Sequence, residues 1–292
     1  METPPLDVPI ILASLLMLGV LVSSAYLWIR QVQKPQDLLQ PVDGVAAWPI
    51  GWVNFGVLIC AMIIAVFVAQ QIGFLLLIGP NHDTPLELTP WLAVASVVML
   101  QGPMIGVFWL ARRFYPGHFS GSLSSRQHTF SKSFKVALPL FIMLLPLVWL
   151  SSMLWSGVLS ILRALGLVEA FEPQPLITLF QAGGELLPIL LLVAMAVIVA
   201  PIVEEIIFRG CIYRFLKSQM TLLPAQMLSG AFFALLHGNL MSFLPLVVVG
   251  ILLARVYEKS GSIGVAIWFH AFFNAFSLSM LFITGMSDAI PK

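Results

Sequence analysis

Residues 186–217 read "LLPILLLVAMAVIVAPIVEEIIFRGCIYRFLK", and this stretch decides the class of fold. It is uncharged from Leu186 to Val203, close to the roughly 20 apolar residues that a bilayer-spanning helix needs. Glu204, Glu205 and Arg209 then follow in quick succession. Charges at the end of such a run need a physical reason, because each intramembrane charge costs about 2.5–3.5 kcal/mol on insertion scales.

The rest of the chain agrees with a membrane setting. Of 292 residues, 60% are hydrophobic and only 9% charged, whereas a soluble domain needs about a quarter charged residues to cover its surface. Apolar runs near 8–29, 53–78, 90–111, 134–165, 186–217, 222–236, 241–257 and 261–285 predict an all-α polytopic membrane helix bundle of about eight transmembrane helices, a single membrane domain over residues 1–292. The sixth run is short. With the seventh, joined by "HGNLM", it reads either as two spans or as a tilted hairpin. The first run has no basic residue before it and is followed by Arg30 and Lys34, so it reads as a retained span and not a cleaved signal.

Basic residues test this count. Twelve of the 14 Lys and Arg fall in the odd-numbered connections or at the span ends beside them, leaving Arg163 and Lys292. That is the distribution the positive-inside rule expects of eight spans with both termini outside. The expected location is the inner or plasma membrane, with the lipid bilayer as one partner. The net charge of +1 says nothing of partners, because the charge is segregated by side. No basic stripe interleaved with aromatics is present, so no nucleic-acid partner is expected.

Connections 30–52 and 112–133 read as linkers, and 167–185 as an outside loop. His82, His118 and His128 read as solvated loop residues. Cys60 and Cys211 read as small buried residues, and Trp28, Trp48, Trp52 and Trp91 as interface anchors.

Ionisable residues inside spans are few: Glu204, Glu205, His237 and His270, with Arg209 beside them. Glu205 and Arg209 are four apart and share a helix face, so they can pair. Glu204 is rotated by about 100° and is left without that partner. Counted from the cytoplasmic helix ends at about 1.5 Å per residue, Glu204, His237 and His270 reach compatible depths. His270 and Asn274 are again four apart and offer two donors for a developing oxyanion. Phe233 lies one turn before His237. A carboxylate beside a histidine can take a proton from water, which with such donors is equipment for amide hydrolysis.

These residues fall in three motifs, "EEIIFR", "FALLH" and "HAFFN", and in that order on three helices they resemble the CPBP family of intramembrane proteases, also called type II CAAX prenyl endopeptidases or the Abi family. "GILLARVYEKSGSIGVAIWFHAFFN" is similar to the family's approach to its last helix. The resemblance covers about residues 186–280, and residues 1–165 supply N-terminal membrane helices without it. It implies an endopeptidase whose active site opens to the cytoplasmic side and whose partner is a membrane-associated protein or peptide substrate. Carried over by position, Glu204 and His237 activate water, His270 and Asn274 hold the oxyanion, and Glu205 and Arg209 support the first motif. The family is often labelled metalloprotease, so a zinc ion on Glu and two His is left open, as is a metal-free mechanism. Two other functions use the same residues: a non-catalytic scaffold or immunity or maturation factor on the same fold, and a proton-coupled transporter, against which the chain shows no inverted repeat.

Overall fold

The computed structural model describes residues 8–34, 44–79, 89–119, 123–124, 128–168, 179 and 185–288. All regular structure among them is helical: α1 Val8–Gln33, α2 Trp52–Leu77, α3 Pro90–Phe114, α4 Phe130–Ala164, α5 Leu186–Gln219, α6 Leu222–Leu236, α7 Phe243–Ser260 and α8 Ile263–Asp288, with a short 3₁₀ turn at Pro116–Phe119. Six of these, α1 to α5 and α8, are long and apolar enough to cross a membrane. The chain is an all-α polytopic integral membrane protein.

The hairpin reading of the sixth and seventh runs holds. At 15 residues, α6 is about 22 Å long, short of the roughly 30 Å hydrocarbon core. It turns back through Gly238 into α7, whose last two turns carry Arg255, Glu258 and Lys259. The two helices approach at backbone contact. A Cβ added to Gly250 would lie 2.6 Å from the Cα of Gly230, so neither position has room for a side chain. α7 ends at Gly261, whose φ of 66° is the left-handed cap that glycine favours.

Local chemistry sets the other ends. Thr89 and Thr129 accept the backbone N–H groups of Leu92 and Lys132 and so cap α3 and α4. Within α4, Pro146 has no N–H to give and opens the turn before it. The nearby carbonyl of Met143 accepts from Ser24 Oγ and Trp28 Nε1, both at 3.0 Å. These two bonds fix α1 on α4.

α4, α5, α7 and α8 supply most of the buried core, with α2 and α3 packed against each other on one flank. Two connections are less like linkers than the sequence suggested. Val45, Trp48 and Ile50 are buried; the Trp48 N–H donates to Arg214 O at 2.9 Å, and Arg214 Nε donates to Ala46 O at 2.7 Å. Trp48 is therefore a core residue packed on Phe55 and Phe119, not an interface anchor. Leu123 meets Tyr257 and Gly210. Of the cysteines, Cys211 is buried as expected, but Cys60 is exposed on the apolar outer face of α2. His118 lies in the 3₁₀ turn; His82 and most of 167–185 lie outside the described residues.

Candidate functional site

α5 is continuous but not uniformly α-helical. Met195–Val199 and Glu205–Tyr213 are π-helical, with i→i+5 bonds and a wider turn, a feature frequent at functional sites. Glu204 and Glu205 diverge as neighbours on a helix do, yet both carboxylates reach one imidazole, His270 of α8, at different nitrogens: Glu205 Oε1 at 2.9 Å from Nδ1, and Glu204 Oε2 at 3.9 Å from Nε2.

Glu205 and Arg209 are fully buried and pair as their spacing suggested, Arg209 Nη1 donating to Glu205 Oε1 at 3.0 Å. Arg209 Nη2 donates to Gly250 O at 2.9 Å, and its guanidinium carbon lies 4.8 Å from the centre of the Phe233 ring, a cation–π distance. This pair ties α5 to α7, α6 and α8 together. Because a carboxylate only accepts, the hydrogen of His270 sits on Nδ1, donated to Glu205.

Glu204 is not left alone. Gln101 Nε2, from α3, donates to its Oε1 at 3.2 Å. Its Oε2 is buried without a hydrogen-bond partner. Nothing about a lone Gln in an apolar run marked it beforehand; the only signal was an amide near the middle of a span.

His237 is not deep inside a long span. It is the residue that ends α6, and its Nδ1 lies 2.7 Å from Phe233 O. A carbonyl only accepts, so Nδ1 carries the hydrogen and Nε2 is free as a base. It makes no ion pair with Glu204; the two histidines instead flank Phe233, whose ring centre is 4.6 Å from that of His237 and 5.5 Å from that of His270. Asn274 donates from Nδ2 to the carbonyl of Ala196 at 2.8 Å, which occupies one amide hydrogen and leaves the other.

Among the described residues no three His, Cys, Asp or Glu side chains group as a metal site; each histidine uses Nδ1 on a protein acceptor and keeps Nε2.

Residues 186–276 match the family model described as type II CAAX prenyl endopeptidase Rce1-like. The similarity to that family lies in this segment of the chain. The segment holds all six site residues read from the sequence, while Gln101 lies outside it. The chain is also 30% identical over 112 residues to "Putative membrane peptidase YdiL" of Bacillus subtilis (strain 168), covering 38% of this chain and 43% of the relative. It thus spans less than half the length of that protein. No solved structure matches the chain.

Proposed function

We propose that this chain is an intramembrane endopeptidase of the CAAX prenyl protease kind, which hydrolyses a peptide bond with a water held between Glu204 and His270. The observation that carries this reading is the 3.9 Å gap between Glu204 Oε2 and His270 Nε2. It is too long for a hydrogen bond and suits one bridging water. Both facing atoms are acceptors, since the imidazole hydrogen is on Nδ1. A water there gives one hydrogen to each and turns a lone pair outward.

That lone pair attacks the scissile carbonyl carbon while Glu204 Oε2 takes the water's proton. The carbonyl oxygen gains the negative charge, and the remaining amide hydrogen of Asn274 is the donor on offer to it. Collapse of the tetrahedral intermediate breaks the C–N bond, and the amine leaves with the proton from Glu204. His237, with Nε2 free beside the same Phe233 ring, is the second base. Glu205 and Arg209 hold His270 in orientation. This assignment moves His270 toward Glu204, a place the motif resemblance gives to His237.

The α6–α7 hairpin starts beside Lys217 and ends beside Arg255 and Lys259, which by the positive-inside rule supports a site that opens to the cytoplasmic side. The substrate is a membrane-associated protein or peptide. The test is cleavage of an internally quenched farnesylated peptide by the full chain in liposomes, together with peptide trapping by Glu204→Gln. Loss of cleavage by at least roughly a hundredfold in that variant is expected; undiminished cleavage by Glu204→Gln overturns this mechanism, and a wild-type chain that leaves the peptide intact favours a scaffold role.

A further inference from the structure

Gln101 lies near the midpoint of α3, a helix outside the segment that matches the family model. A buried amide at membrane depth must find a partner. The other polar side chain in the first half of α3, Ser96, satisfies itself by donating to Leu92 O at 2.8 Å. Gln101, only 6% exposed, instead reaches across to α5 and donates Nε2 to Glu204 Oε1 at 3.2 Å. The amide orientation is fixed by chemistry, because the carboxylate has no hydrogen to give.

The two glutamates are thereby treated differently. Glu205 is held by a guanidinium and an imidazole. Glu204 is held by a neutral amide, which orients one oxygen without cancelling the charge. With Oε1 tied to Gln101, Oε2 is the oxygen that faces His270, and it has no protein hydrogen-bond partner. The carbonyl oxygen of Gln101 is buried and unpartnered too, so the locus holds more acceptors than donors, which suits a bound water.

We propose that Gln101 is a positioning residue for Glu204, supplied by a helix outside the family segment, which selects Oε2 as the oxygen that takes the water's proton. Its kinetic consequence rests on the peptidase reading; the Gln101–Glu204 bond does not. Replacing the amide by an unbranched apolar chain of similar length, Gln101→Met, removes the donor and suits the bilayer, and Gln101→Leu serves in the same way if the first variant does not fold.

The experiment uses the full chain in liposomes with two readouts. The first is the infrared carboxylate stretch of Glu204, assigned from the difference between wild type and Glu204→Gln. It should shift in Gln101→Met and stay in place in Ser96→Ala. The second is cleavage of the internally quenched farnesylated peptide: kcat should fall roughly 10- to 100-fold, the scale of one hydrogen bond to a charged group, with KM within about twofold. An unmoved Glu204 band, or a raised KM with kcat unchanged, overturns the proposal. If wild type leaves the peptide intact, the peptidase reading fails for that substrate while the band shift still decides the role of Gln101.

Discussion

Asn274 of α8 donates to the carbonyl of Ala196 on α5 at 2.8 Å, and Pro201 is the reason that carbonyl is free. In the π-helical register, Ala200 N–H bonds to Met195 O. The next donor in that register would be residue 201, which as proline has no N–H. An amide on the neighbouring helix takes its place, so the third motif is fastened to the turn just before the first.

Asn274→Ala should therefore destabilise the chain by about 1–2 kcal/mol, the cost of an unpaired buried carbonyl. Pro201→Ala restores a backbone donor, so the double variant should recover much of that loss. Unfolding in detergent, arranged as a double-mutant cycle, measures the coupling; strictly additive effects would show that the bond and the proline are unrelated.

Arg209→Met leaves Glu205 charged and buried with His270 as its remaining partner, and should cost about 3–5 kcal/mol. Pairing it with Glu205→Gln removes the orphaned charge and should be less damaging than Arg209→Met alone. Thermal unfolding of the three variants checks the order.

Gly250→Ala places a methyl 2.6 Å from the backbone of Gly230 and should force α6 and α7 apart, with large loss of folded protein. Gly157→Ala, where a Cβ meets nothing within 4 Å, should be tolerated. Size-exclusion yield after solubilisation separates the two; equal yields would mean the hairpin can open without penalty.

The two histidines should separate function from stability. His270→Ala removes the donor to Glu205 and should lower both peptide cleavage and unfolding temperature. His237→Ala, at the end of α6 with a bond only to its own turn, should lower cleavage roughly 10²- to 10⁴-fold with little change in unfolding temperature.

The bundle was legible in the sequence because lipid permits few solutions. Long uncharged runs must be helices when no water can satisfy the backbone. The Glu205–Arg209 pair was legible because i,i+4 neighbours meet in any helix close to α. The shortness of α6 was legible as well, since it could be counted directly between Thr221 and His237.

What could not be read locally was who faces whom. The sequence by itself determined an all-α membrane chain, its approximate helices, and the concentration of Glu204, Glu205, Arg209, His237, His270 and Asn274 in its last third. Only the tertiary structure decided that both glutamates meet His270, that Gln101 reaches Glu204, and that Trp48 is buried against Phe119. The physical reason is twofold. A switch from α to π winding is a cooperative choice made against neighbouring helices, so residue spacing alone does not set azimuth. Contacts between α3, α5 and α8 join residues far apart in sequence, and their register depends on how whole helices pack.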